Sequence, residues 1–312
     1  MVDAPDYDRL IDGEIWDYIA RTEAHYPPDA VDLTVQEQRA VYDTMCAAFH
    51  AGRPSGVRTF DENHGGVSCR RYEVGASAQR LVYYHGGGFV VGGLDSHDDI
   101  CAEICAQTGF RVISVDYALA PENVFPHCFD DAWNAYCAIA ETFGSQIVLA
   151  GDSAGGNLAA AVSHHARGRV SKPLGQVLIY PGLGGDHGTG SYIRHANAPQ
   201  LTTRDMAFYQ MLRSGGQDRG GDPRYAPLQD TDFADLPPTV VITAECDPLS
   251  SDGESYRDAL LGAGGRALWL EEAGLVHGYL RARTMSGKAR ASFGRIVQAI
   301  RDIGTGVWPP AL

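Results

Sequence analysis

The pentapeptide Gly151-Asp152-Ser153-Ala154-Gly155 sets a hydroxyl between a strand-like run, Ile147-Val148-Leu149-Ala150, and a helix-like one, Asn157-Leu158-Ala159-Ala160. A serine on such a sharp strand-to-helix turn has its oxygen lifted above the sheet edge as a nucleophile. The flanking glycines let backbone pass where a side chain would collide, and the Ala154 amide faces any negative charge that develops beside the serine. Glycine supplies 37 of the 312 residues, so the pentapeptide alone is a weak signal. The strand before it and the helix after it carry the reading.

A neutral hydroxyl is a poor nucleophile, so this chemistry also needs a base, a carboxylate to orient that base, and donors for an oxyanion. His277, within Val276-His277-Gly278-Tyr279, is the expected base, because imidazole takes and returns a proton near neutral pH. Asp247 is the expected acid: Glu245-Cys246-Asp247-Pro248-Leu249 follows the buried-strand pattern Thr239–Ala244, at the end where open parallel sheets place their sites. Glu245 is the residue that competes for the role. Leu81-Val82-Tyr83-Tyr84 runs into His85-Gly86-Gly87-Gly88-Phe89, a loop with unobstructed amides, which makes Gly87 and Gly88 oxyanion donors beside Ala154. His85 is expected to hold that loop rather than to move a proton.

Alternating strand and helix patterns must position these groups. Residues 70–74, 110–115 and 267–270 read as further strands, and 130–143, 254–261 and 289–303 as helices, with Gly262-Ala263-Gly264-Gly265 as a stop. That order predicts an α/β fold with helices on both faces of a sheet. Ahead of it, Ile11, Ile15, Trp16 and Ile19 recur at helical spacing, and Thr34 with Glu37 forms a capping-box pattern before Val41, Met45 and Cys46. These helices either pack on the core or belong to a lid. A second such segment opens at Gly182 and contains Met206, Phe208, Tyr209, Met211 and Leu212 as an apolar helix.

Taken in order, His85 to Phe89, Asp116-Tyr117-Ala118-Leu119-Ala120-Pro121-Glu122, Gly151 to Asn157, Asp247-Pro248-Leu249 with Asp252-Gly253, and His277-Gly278-Tyr279 resemble the hormone-sensitive-lipase-like branch of the α/β-hydrolases. That branch contains many bacterial carboxylesterases and acetylesterases. The resemblance covers roughly residues 80 to 300. It implies a central, mostly parallel sheet in a single α/β-hydrolase domain, with a helical cap from about 1–50 and 183–234. The implied triad is Ser153, Asp247 and His277, with oxyanion donors on Gly87, Gly88 and Ala154. Two positions depart from the branch: Ala118 stands where arginine is usual, and Tyr279 where phenylalanine is usual.

A formal charge of −14 argues against nucleic acid or an anionic membrane surface as a partner, and the only lysines are Lys172 and Lys288. No apolar run is long enough for a membrane span, and Met1 to Asp6 lacks the pattern of a secretion signal, so a cytoplasmic location is the default expectation. The seven cysteines are scattered without a Cys-x-x-Cys pair, which predicts buried thiols. No compact spacing suggests a metal, and serine acyl transfer needs no cofactor. The expectation is a serine carboxylesterase acting through an acyl-enzyme on a small neutral ester, with short acyl groups implied by the resemblance and a homodimer left open. A lactonase or amidase with the same triad is the alternative, and a non-catalytic binding protein the remote one.

Overall fold

The computed structural model describes residues 5–27, 33–144, 146–169 and 172–312. Residues 1–4 and 28–32 of the expected N-terminal cap segment lie outside them. Eight strands form one sheet: β1 (Arg58–His64), β2 (Val67–Glu73), β3 (Arg80–Tyr84), β4 (Arg111–Val115), β5 (Ile147–Asp152), β6 (Gly175–Ile179), β7 (Thr239–Cys246) and β8 (Ala267–Val276). Their spatial order is β1-β2-β4-β3-β5-β6-β7-β8. β1 and β2 pair antiparallel, as do β2 and β4, and every later pairing is parallel. The crossing of β3 and β4 in this order creates the switch point at which open α/β sheets hold their sites.

The strands read as near-continuous apolar runs because both faces of the sheet are covered. Leu81 and Tyr83 point to one side, with Val148, Ala150, Val177, Ile179, Val240 and Ile242. There they meet α4 (Asp98–Thr108) and α10 (Gly287–Gly304) through Ile104, Phe293, Ile296 and Ile300. Val82 and Tyr84 point to the other side with Leu149, Leu178 and Val241, onto α5 (His127–Phe143), α6 (Ala154–Ala166) and α9 (Ser250–Gly262). This alternation is the period of two that a strand imposes.

The N-terminal helices α1 (Tyr7–Leu10), α2 (Gly13–Glu23) and α3 (Val35–Phe49) join the first of these cores. Ile15, Tyr18, Ile19, Met45 and Phe49 are buried in it, and the Thr34–Glu37 capping box opens α3. Between β6 and β7 lie α7 (Gly190–Arg194) and α8 (Thr203–Ser214). On α8, Met206 is buried while Phe208 and Met211 face outward, so the expected apolar helix has one inward stripe rather than a fully apolar surface. Three expected helices begin earlier than their patterns suggest, at His127, Ser250 and Gly287, and β8 continues through Val276. All seven cysteines are free thiols, six of them buried.

Candidate active site

Ser153 sits between β5 and α6 with φ 53° and ψ −117°. This backbone region costs a serine on the order of 1–3 kcal/mol, so the surroundings must hold it in place. They do so from several directions. Its N–H donates to the Ile179 carbonyl at 2.8 Å, and its own carbonyl accepts from Asn157 N–H at 3.1 Å. A Cβ on Gly155 would stand 1.8 Å from the Tyr84 carbonyl oxygen, so only glycine lets α6 approach the sheet this closely.

His277 follows directly on β8, and its Nε2 lies 2.8 Å from Ser153 Oγ. Its Nδ1 lies 2.7 Å from Asp247 Oδ2. Asp247 is fully buried, and its other oxygen accepts from Leu249 N–H at 2.9 Å, which fixes the carboxylate plane. The register of β7 against β8 is irregular between Ala244 and Cys246. There Glu245 turns away from the histidine and accepts from Gly274 N–H at 2.7 Å. The structure thus brings Ser153, His277 and Asp247 into one hydrogen-bonded line and leaves Glu245 outside it.

The glycine loop is held by polar contacts that its sequence only hints at. Gly86 N–H donates to Asp152 Oδ1 at 3.0 Å, and Tyr83 O–H donates to the same oxygen at 2.7 Å. Burial alone would push the Asp152 carboxyl up; His97, 3.3 Å away, and the Tyr83 hydroxyl hold it well below the usual carboxylate range instead. His85 is fully buried, stacks on Tyr117 with centroids 4.3 Å apart, and contacts the Gly86 carbonyl through Nδ1 at 2.8 Å. Burial lowers its pKa to about 3, so it stays neutral. Gly87 has φ +126°, and a Cβ there would stand 2.1 Å from the Val91 carbonyl oxygen. Ala154 opens α6, whose first amides have no intrahelical acceptor and point toward the serine end of the helix. Tyr279, in place of phenylalanine, satisfies its hydroxyl with Ser292 Oγ at 2.7 Å.

Two cavities meet at Ser153. The larger, about 350 Å³, is lined by Gly87, Gly88, His277, Arg281 and, from the N-terminal region, Tyr18 on α2, Tyr26 just after it and Tyr42 on α3. Tyr18 also donates to the Gly278 carbonyl at 2.9 Å, tying α2 to the loop that carries His277. The smaller, about 100 Å³, is lined by Gly88, Ala154, Tyr192, Leu201, Met206 and Leu249 among others. Neither the tyrosines of α2 and α3 nor the groups on α8 carry a local signal of their role, since only folding brings them to the serine.

Asp252, fully enclosed, is a further positioning group. It accepts from Leu183 N–H at 2.6 Å and from Tyr192 O–H at 2.9 Å, so it ties both ends of the 183–192 segment to α9 beside the smaller cavity. Burial raises its pKa to about 6, against the bonds from Leu183 and Tyr192. A carboxyl raised above its unfolded value near 3.8 contributes stability that is complete below that value and lost as pH rises through about 6. Asp252→Asn removes the titration. Thermal unfolding should therefore show its Tm, relative to the unsubstituted protein, improving between about pH 4 and about pH 7.5. A relative Tm that falls over that range would show that Asp252 is stabilised as the anion.

Comparison with known proteins places this architecture. A family described as the alpha/beta hydrolase fold matches residues 81–281. The chain is 35% identical over 254 residues to carboxylic ester hydrolase LipN of Mycobacterium tuberculosis, spanning 76% of this chain and 67% of that protein. It is 34% identical over 231 residues to an ethyl acetate hydrolase of Pseudomonas putida, spanning 71% and 72% respectively. A hyperthermophilic esterase from the archaeon Pyrobaculum calidifontis superposes with a TM-score of 0.85 at 31% identity, covering 94% of this chain and 98% of that one. The chain belongs to the α/β-hydrolase family, within its hormone-sensitive-lipase-like esterases, and is a hydrolase. Among the described residues, no helix is long and apolar enough to cross a membrane, and no group of three or more His, Cys, Asp or Glu side chains could hold a metal ion.

Proposed function

We propose that the protein is a serine carboxylesterase that hydrolyses short-acyl esters through an acyl-enzyme. The observation that carries this reading is the continuous line from Asp247 through His277 to Ser153, with contacts of 2.7 and 2.8 Å. Ser153 Oγ bonds to the ester carbonyl carbon as its proton passes to His277 Nε2, while Asp247 holds the Nδ1–H tautomer and stabilises the imidazolium. The amides of Gly87, Gly88 and Ala154 receive the oxyanion. His277 returns the proton to the departing alcohol oxygen as the C–O bond breaks. A water then gives its proton to His277, attacks the acyl-enzyme, and releases the acid and free Ser153.

Segments 1–50 and 183–234 act as the cap over this site. Support comes from Tyr18, Tyr26 and Tyr42 on one side and Tyr192, Met206 and Tyr209 on the other, all of which line the cavities at Ser153. The buried residues of α2 and α3 make the first segment part of the core as well, so its removal would unfold the protein rather than retune it.

Short acyl groups follow from the smaller cavity. One water takes about 30 Å³ in the liquid, so about 100 Å³ is room for about three waters, the size of a short acyl chain rather than a long one. The similarity to an ethyl acetate hydrolase points the same way. With p-nitrophenyl esters of increasing chain length, kcat/KM should peak between about two and four acyl carbons and fall at least about tenfold by about eight, since an unaccommodated methylene costs about 1–3 kcal/mol. A profile that rises with chain length would reject the short-acyl reading. Faster turnover of lactones or amides than of any ester would reject the ester preference.

A further inference from the structure

We propose that the acyl pocket is built for an acyl group ending in a carboxylate, read by Arg213, so that half-esters of short dicarboxylic acids are preferred substrates. This rests on the esterase reading above and departs from the expectation of a neutral ester.

The leaving group decides which cavity takes which half of the ester. The leaving oxygen must lie within reach of His277 Nε2, because that nitrogen protonates it. His277 lines the larger cavity and not the smaller. The alcohol therefore occupies the 350 Å³ side, and the acyl chain runs past Ala154 into the 100 Å³ side.

Arg213, at the end of α8, is the one charged side chain lining that smaller cavity. It is 5% exposed, and among the described residues it has no ion-pair partner. Of its five N–H donors, Nη1 serves the Tyr225 carbonyl at 3.1 Å and Nη2 serves Asn157 Oδ1 at 3.1 Å, while Nε is buried with no acceptor. The adjacent Cys128 thiol also hydrogen-bonds the Arg213 side chain, but burial pushes that thiol up, so it is neutral and gives no counter-charge.

A buried cation without an anion is costly, and structures normally pair it. Here the guanidinium instead sits over aromatic rings, with Cζ 3.6 Å from the Phe89 centroid and 4.1 Å from that of Tyr225. The rings hold the guanidinium in place, and Nη1 and Nη2 each keep one N–H beyond the bond already made, which a carboxylate can take. Beyond its ester carbonyl a succinyl group adds two methylenes and a carboxylate, which keeps it a four-carbon acyl group within the short-acyl range proposed for the smaller cavity. Its terminal carboxylate supplies the missing anion.

The test compares monoethyl succinate with ethyl 4-methylpentanoate, its neutral counterpart of the same shape, by titrating released acid. Alkyl esters are used because activated aryl half-esters cyclise without enzyme. A hydrogen bond to a charged group is worth about 10- to 100-fold, so kcat/KM should favour the half-ester by about that factor. The preference should vanish in Arg213→Met and survive in part in Arg213→Lys, which keeps the charge and loses the fork. Product inhibition of ethyl acetate hydrolysis needs no variant: free succinate should inhibit at least about tenfold more strongly than 4-methylpentanoate. Equal rates and equal inhibition constants in an enzyme that does hydrolyse ethyl acetate would overturn the role of Arg213 and leave the esterase reading standing. Failure to hydrolyse ethyl acetate or either longer ester would instead sink the esterase reading.

Discussion

Replacement of Ser153 by alanine should lower kcat for short p-nitrophenyl esters by about 10⁶-fold, the scale on which loss of a triad nucleophile acts. The side chain removed is a single oxygen whose contact in the structure is His277 Nε2 at 2.8 Å. Its backbone position is already strained, and alanine suffers the same strain at φ 53°. The fold should therefore survive, with Tm shifted by no more than about a few degrees, as surface-type changes within about 0.5 kcal/mol do. Covalent labelling by a fluorophosphonate should disappear together with turnover. A folded Ser153→Ala protein that keeps both would remove the proposed nucleophile, whereas loss of labelling with retained turnover would assign hydrolysis to another group. Any residue left over is expected to come from the amides of Gly87, Gly88 and Ala154 and from substrate binding, which act without the serine.

The reach of sequence patterns ends where distant segments meet. Strands β3, β5 and β7 are legible because two-sided burial makes their central runs Leu81–Tyr84, Ile147–Ala150 and Val240–Ile242 apolar. The edge strand β1, Arg58–His64, has no such run; its polar side chains are satisfied by ion pairs such as Arg70–Asp61 and Arg71–Glu62, and a pattern of burial cannot reveal it. β8 is visible only as far as Leu270, because Glu271, Glu272 and Gly274 interrupt its apolar face. Those interruptions have local causes: Glu272 pairs with Arg295, and Gly274 donates to Glu245 across the irregular register. Asp152 and Asp252 stand inside motifs that are conspicuous in the sequence, yet their partners Tyr83, His97, Leu183 and Tyr192 come from other elements. Arg213 has no sequence signal at all. It reads as one more cation at a helix C-terminus, where basic residues are common, and becomes unusual only once its burial and the absence of an ion-pair partner among the described residues are seen.

Asp247→Asn should lower kcat by about 10⁴-fold while leaving the fold nearly intact. Asparagine keeps the size of the side chain and an oxygen able to accept from Leu249 N–H, the 2.9 Å bond that orients the group. What it loses is the anion facing His277 Nδ1 at 2.7 Å. An amide N–H turned to that nitrogen favours the tautomer with its proton on Nε2, which cannot accept from Ser153, and no charge remains to stabilise the imidazolium. Glu245→Gln separates this role from that of its neighbour two residues away. Glutamine retains an oxygen for Gly274 N–H, so kcat should change by less than about tenfold, because the exchange turns a charge-assisted bond into a neutral one, a loss of about 1 kcal/mol at a contact that touches no reacting atom. Glu245→Ala leaves that amide unpaired where β7 and β8 lose register, and its cost should appear in Tm before it appears in kcat. Near-normal kcat in folded Asp247→Asn, with collapse in Glu245→Gln, would exchange the two assignments. Collapse in both, with Tm unchanged, would mean that the β7–β8 irregularity positions His277 as strictly as the carboxylate does.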